Sequence, residues 1–178
     1  MKTKFYGCLA VALLVASAYT LIAITSWQIA DGYSVAFSSN EAAGIFKDVK
    51  GTISFDESQT AVSKFDVTIG VNSINTGNGM QNNHARSDEW FDAAKYPVIH
   101  YSSQKVVKAA AGYSSTGDLE MHGVKKSLVI PFNFQRTPKG GLFTAKFSVN
   151  RVDFGIGKPG GDVDEQIKIE LSVPVTVK

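Results

Sequence analysis

Near the end of the chain Ile167, Ile169, Leu171, Val173, Val175 and Val177 alternate without a break with Gln166, Lys168, Glu170, Ser172, Pro174, Thr176 and Lys178. Successive side chains of a strand point to opposite faces, so a period this strict describes one dry face and one wet face. Two further rows repeat it. Phe65, Val67, Ile69 and Val71 alternate with Lys64, Asp66, Thr68, Gly70 and Asn72, and Leu128, Ile130, Phe132 and Phe134 form the third. Half-buried strands of this kind belong to antiparallel sheets. Pro174 has no amide to donate, which suits a strand edge or a bulge better than the middle of a ladder.

The same pattern predicts about eight strands, near 27–38, 49–56, 62–74, 98–108, 113–121, 124–136, 142–150 and 165–177. Asp56-Glu57-Ser58-Gln59, Ala109-Ala110-Ala111-Gly112, Gly123 and Thr137-Pro138-Lys139-Gly140-Gly141 are the turns between them. No repeat or linker divides the region, and only 75–97 and 153–164 are longer interruptions. Eight such strands make a sandwich or a closed barrel. Closure removes the exposed edges, and an eight-stranded barrel either fills its interior with side chains or holds one small ligand. A tilted strand of about eleven residues crosses a barrel roughly 25–30 Å tall, enough to sheathe an extended hydrocarbon chain. Periodicity alone also fits a barrel whose interior is simply packed core.

A chain of 178 residues with 44% hydrophobic composition is one ordinary domain plus at most one extra segment. That segment is N-terminal. Lys2 and Lys4 lead into Phe5–Ile24, which carries no charge, and Ala16-Ser17-Ala18 is a small-residue triplet. These are the features of a secretory signal peptide over residues 1–25, with Ala18 offering a cleavage position, and the folded domain covers 26–178. The same run is long enough to remain as an uncleaved membrane anchor. Cys8 lies near the start of the segment instead of at its end, where a lipidated cysteine would stand. Export also changes the charge. Removing Lys2 and Lys4 from the eighteen basic residues leaves sixteen, against sixteen acidic ones. A formally neutral domain offers no global case for nucleic acid or anionic lipid as the main partner. It has no cysteine either, so disulfides and thiolate metal sites play no part in it.

Catalytic constellations are scarce. His84, His100 and His122 have no metal-ligand spacing, and His100 shares a strand face with Val98 and Ser102. No GxSxG elbow occurs, and Asn75-Thr76-Gly77-Asn78-Gly79 and Gly155-Ile156-Gly157 read as glycine turns, not phosphate cradles. Arg86 and Arg151 stand beside aromatic residues in or next to connections. Each either pairs with its neighbouring acid, Asp88 or Asp153, or holds the polar head of a ligand.

Trp90 and Phe91 lie together in an otherwise polar stretch. Ser87 predicts a helix N-cap there, with Asp88 and Glu89 complementing the dipole of the first turn and Tyr96-Pro97 ending the helix. So short a helix needs packing to form, and Trp90, Phe91 and Ala94 are its sizeable apolar groups. They plug one end of the barrel or form a lid against its contents.

Three segments resemble the YceI-like, polyisoprenoid-binding periplasmic proteins. The first runs Asn75-Thr76-Gly77-Asn78, His84-Ala85-Arg86-Ser87-Asp88-Glu89-Trp90-Phe91-Asp92 and Lys95-Tyr96-Pro97-Val98-Ile99. The second is Thr116 to Lys126, and the third is Asn150-Arg151-Val152-Asp153-Phe154-Gly155-Ile156-Gly157. They follow family order across nearly all of the domain. The resemblance implies an all-β, eight-stranded antiparallel, lipocalin-like β-barrel with a short helical segment closing one end. It also implies a periplasmic, non-enzymatic carrier or store of a long isoprenoid or other amphiphilic lipid, bound non-covalently and without a cofactor. A homodimer is compatible with the family, and membrane contact is transient unless the N-terminus stays attached.

On the alternating rows, the interior and mouth that would touch such a lipid consist of Phe37, Phe55, Phe65, Val67, Ile69 and Ile99 on the earlier strands. Tyr101, Leu119, Met121, Ile130, Phe132 and Phe134 continue the set. Phe147, Phe154, Trp90 and Phe91 complete it, with Asn78, His84, Arg86 and Arg151 as a polar rim. The chain departs from the pattern at Gln81-Asn82, where members often carry Arg-Asp, and at Ala85, where they carry leucine. Loss of that base favours a neutral-headed lipid, such as a quinone or fatty amide, over a phosphorylated one. Two rival functions share the fold: an envelope-stress or protein-interaction module with a filled barrel, and a lipid-modifying enzyme with an unrecognised site.

Overall fold

The computed structural model describes residues 25–178, so the N-terminal segment read above as an export signal lies outside them. In chain order the strands are β1 (Ser26–Ile29), β2 (Ser34–Ser38), β3 (Ala43–Phe46), β4 (Val49–Ser54), β5 (Lys64–Gly70) and β6 (Ile74–Asn75). After helix α1 (Gly79–Arg86) come β7 (Val98–Lys108), β8 (Tyr113–Met121), β9 (Val124–Thr137), β10 (Gly140–Asn150) and β11 (Gln166–Val177). Eleven strands reduce to eight staves, because β1 with β2, β3 with β4, and β5 with β6 are each one long strand broken by a kink. Every neighbour is antiparallel, and β1 pairs both with β4 and with β11, which closes the ring. The fold is therefore an up-and-down barrel with no free edge along this ring. The stretch from 38 to 49, with no strand assigned from pattern, contains β3, which pairs with β2 and β6.

Pro174 explains one of the kinks. It sits opposite Leu142 on β10, and its carbonyl accepts from Ala30 N at 2.9 Å on the other side. Nitrogen and carbonyl of one strand residue face the same neighbour, so the missing amide points at the break between β1 and β2. There β11 changes partner, from Ser34–Ser38 to Trp27–Ile29. A second irregularity lies in β7, whose pairing with β8 shifts between Ser103 and Lys105. The extra residue of this bulge bends the strand and keeps Tyr101 and Val106 both facing inward.

The core is divided along the barrel axis. At one end Phe55 is fully buried, with ring centroids of Tyr113, Phe134, Phe143, Phe132 and Phe65 between 5.0 and 6.2 Å away. Most of these contacts are edge-to-face, the arrangement that aromatic quadrupoles favour. Trp27 caps the group, its indole donating to the Phe55 carbonyl at 2.9 Å. The Phe134 ring can lie flat against the wall because the residue below it is Gly141, where a β-carbon would overlap the ring. This end is a plug of packed rings. The second cluster, which includes Val35, Phe46, Ile74, Ile99, Leu119, Met121 and Val149, lines the wall of the other half.

The helix is not where its capping signal was read. Ser87 is the C-cap of α1, its hydroxyl donating to the His84 carbonyl, and Asn78 is the N-cap. The Asn78 side-chain oxygen accepts from Met80 N at 2.9 Å and Gln81 N at 3.2 Å. The helix stops because Ser87 is extended, at φ −65° and ψ 168°, and Asp92 with a left-handed φ of 42° then turns the chain back, its N–H on the Ser87 carbonyl. Asp88 and Glu89 therefore follow a helix C-terminus instead of opening an N-terminus. The buried alanine of the segment is Ala93, while Ala94 is exposed.

Phe55→Ala should cost roughly 3–5 kcal/mol of unfolding free energy, the usual loss for a large aromatic in a core that cannot collapse. Urea denaturation measures it, and a loss below about 1 kcal/mol would mean the plug is not the main store of stability.

Candidate functional site

The half of the barrel above the plug encloses a cavity of about 1110 Å³, beyond the usual range for a drug-sized ligand. Its floor is made by the rings of Phe65, Phe132 and Phe143. Its wall comes from the inward positions of the staves, among them Val67, Ile69, Ile99, Leu119, Met121 and Ile130. Sequence reasoning missed several wall residues that its own alternation rows contain. Leu128 on β9 and Ile167, Ile169, Leu171 and Val173 on β11 all face the cavity. Phe46, Ile53 and Phe143 were missed too; the same two-residue parity, continued along β3, β4 and β10, would have found them.

The mouth lies at the end bearing the long connections. It is bordered by Glu41 and Ala42 of the β2–β3 hairpin, by α1 and residues 88–91, and by residues 157–163 between β10 and β11. Asn40 ties two of these together, its backbone N–H donating to Asp164 at 3.1 Å and its side chain to the Asp162 carbonyl at 2.9 Å. Trp90 and Phe91 line the cavity here, at the opposite end from the plug. Phe91 meets Phe46 edge-on at 6.2 Å. Trp90 bridges two connections: its indole N–H donates to His84 Nε2 at 2.8 Å, and the Arg151 guanidinium stands 5.1 Å from its ring. Gly157, at φ +65°, completes the seat, since a β-carbon there would approach Arg151 Nη1 to 2.8 Å and the indole to 3.3 Å.

Arg151 is 4% exposed and holds the mouth together from inside. It donates to the carbonyls of Ile156, Lys158, Val163 and Asp164, at 2.7 to 3.1 Å. A fork of five N–H donors can bind so many carbonyls at once, and a lysine cannot. The pairing with Asp153 does not form; Asp153 faces Lys126 at 3.4 Å. Arg86 likewise has no bond to Asp88. Its Nη2 donates to the Ile74 carbonyl at 3.1 Å, and its Nε is buried without a partner. Both expectations failed because buried carbonyls left by the kinks and turns outcompete a solvated carboxylate.

The remaining site candidates separate cleanly. Phe37, Tyr101, Phe147 and His84 border the cavity. Phe55 and Phe134 belong to the plug, and Phe154 packs in the core behind the wall. Asn78 and Arg86 do not border the cavity; one caps α1 and the other braces β6. His100 pairs with Asp66 at 3.0 Å on the outer face, and His122 bonds the Phe154 carbonyl. Among the described residues no three His, Cys, Asp or Glu side chains gather as metal ligands, and no helix is long and apolar enough to cross a membrane.

Inside the cavity polar groups are few. Tyr101 Oη and Ser115 Oγ lie 2.7 Å apart, and burial pushes the Tyr101 phenol above its ordinary pKa, so it stays protonated at neutral pH. The mouth has a different character. Glu41, Asp88, Glu89 and Asp162 border it, against Lys158 and the committed guanidinium of Arg151. The arrangement can bury a long apolar chain and presents a net negative entrance.

Residues 27–175 match the YceI-like domain family. The chain is 32% identical over 136 residues to UPF0312 protein YE1254 of Yersinia enterocolitica, covering 73% of this chain and 71% of that protein. Two solved structures share the fold. The crystal structure of Burkholderia cenocepacia BcnA superposes with a TM-score of 0.76 at 24% identity, over 82% of this chain and 96% of that one. A polyisoprenoid binding domain from Saccharophagus degradans superposes with a TM-score of 0.66 at 16% identity, over 88% and 100%.

Arg151→Lys should lower stability by roughly 1.5–3 kcal/mol, the worth of a hydrogen bond to a charged group, since one ammonium cannot replace the fork. Hydrogen exchange should show the change concentrated in the amides of residues 156–164. An even rise across the whole barrel would mean that Arg151 does not organise the mouth.

Proposed function

We propose that this chain, which belongs to the YceI-like domain family, is a periplasmic protein that binds, carries or stores a long-chain isoprenoid or similar amphiphilic lipid of polyprenyl or quinone type. The tail lies in the barrel, and no covalent bond or cofactor is involved. One observation carries the reading: a cavity of about 1110 Å³ with apolar walls, sealed by the plug and open at one mouth. A polyisoprenoid binding domain with the same fold supports it. Export rests on the N-terminal Lys2, Lys4 and apolar run.

The driving force is removal of hydrocarbon from water, about 0.8 kcal/mol per methylene before the cost of ordering the chain is subtracted. Affinity should therefore climb steeply with each isoprene unit and level off when the cavity is full. The carboxylates at the mouth favour a neutral head over a phosphate, and Gln81 beside them brings no positive charge. At equal chain length the phosphorylated lipid should bind more weakly, because neither the acidic mouth nor the apolar interior offers its charge a partner.

Organic extraction of the purified protein followed by mass spectrometry tests the reading directly. A stoichiometric neutral isoprenoid is the expected result. No lipid, together with no binding of any prenyl chain in vitro, would overturn it. A strong preference for the phosphorylated lipid would overturn the head-group assignment alone.

A further inference from the structure

The Tyr101–Ser115 pair sits deep in an otherwise apolar barrel. Tyr101 on β7 lies across from Val67 and Leu119, and Ser115 on β8 lies across from Val106 and Ile130. Two residues before Ser115 on the same face is Tyr113, which stacks on Phe132 at 5.4 Å within the plug. Two residues before Val67 is Phe65, part of the floor. The hydroxyl pair therefore stands one side-chain step above the aromatic floor, and both residues border the cavity.

Proton counting makes this position unusual. Each hydroxyl has one proton and two lone pairs. The pair shares one hydrogen bond of 2.7 Å, and among the described residues neither oxygen has another side-chain or backbone partner. One proton is thus left over, whichever hydroxyl donates. Ser115 is 2% exposed and Tyr101 half-buried, so the spare proton has no partner on the outer face and can be taken only by what occupies the cavity. Once a lipid fills the cavity and displaces water, a donor left without a partner is costly, and a wall meant only for hydrocarbon would be cheaper as Phe and Ala.

We propose that the Tyr101–Ser115 pair is a polar subsite that donates its free proton to an uncharged oxygen, hydroxyl or carbonyl, of the lipid's head. The head then enters first and rests on Phe65, Phe132 and Phe143, while the tail runs back towards Trp90 and the acidic mouth. This inference rests on the lipid-binding reading and adds to it a ligand class and a direction of insertion. An ionic head is excluded by the same geometry, because nothing near the pair can neutralise it. A compact or planar neutral head fits, since the floor offers ring faces and the pair offers a donor.

The test compares geranylgeraniol with the hydrocarbon of the same skeleton that lacks the hydroxyl. Affinities are taken for the wild type and for the double variant Tyr101→Phe, Ser115→Ala, which removes one oxygen from each residue. The expected result is that the affinity of the alcohol relative to the hydrocarbon falls about tenfold or more in the double variant, the worth of one buried hydrogen bond. The affinity of the hydrocarbon itself should hold or improve. An unchanged ratio would overturn the subsite and leave lipid binding intact, whereas binding of neither compound would overturn the lipid reading itself. A second measurement needs no variant. Infrared spectroscopy of a prenyl benzoquinone bound to the wild type should show a carbonyl band lowered by hydrogen bonding; a band matching that in hydrocarbon solvent would also overturn the proposal.

Discussion

The structure depends on Phe55 and the rings around it. A barrel that keeps space inside forgoes the contacts that a filled core would make, so its stability has to be concentrated elsewhere. Here it is concentrated at one end, where Phe55 meets five aromatic rings and Trp27 closes the group with a hydrogen bond to the Phe55 carbonyl. The plug lets the other end remain open without loss of the closed ring. It also gives the cavity a floor and therefore a direction.

The mouth is held by different means. There the staves are kinked or short: β6 has only two residues, and β7 begins at Val98, after the α1 connection has crossed the gap. Two arginines gather the carbonyls that the strands leave unpaired here: Arg86 takes that of Ile74 on β6, and Arg151 takes four from the connection between β10 and β11. Trp90 then leans on Arg151 and bonds His84, joining two connections that no strand pairing unites. Packed rings make a rigid floor, whereas hydrogen-bonded loops open at lower cost, so under the proposed function ligand exchange belongs to the mouth.

Much of this was legible in the sequence. Alternation along β5, β9 and β11 identified the staves and the side of each that faces inward, because a period of two permits no other assignment once one face is buried. Wall residues such as Val67, Ile69 and Ile130 followed from it. Alternation could not say where along the axis each residue lies, so Phe55 and Phe134 of the plug were grouped with the cavity wall. Ser115 was overlooked because it is polar, although Tyr113, Gly117 and Leu119 share its inward parity. The helix was displaced because Ser87 and Asn78 are both good capping residues, and only tertiary packing decided between them. The arginine pairings failed because no sequence pattern reveals which carbonyls a kink will strand.

The central claim is that the ligand lies inside the barrel, above the plug. Titration calorimetry of a neutral prenyl lipid into the wild type and into Leu119→Trp, which fills the cavity from β8, tests it most directly. The account predicts one site per chain in the wild type, with a negative heat-capacity change from apolar burial. In the filled variant, folded by circular dichroism, affinity should fall by about tenfold or more, equivalent to roughly 1.4 kcal/mol. Binding of equal strength and stoichiometry in the folded, filled variant would contradict the account, because the lipid would then lie outside the barrel.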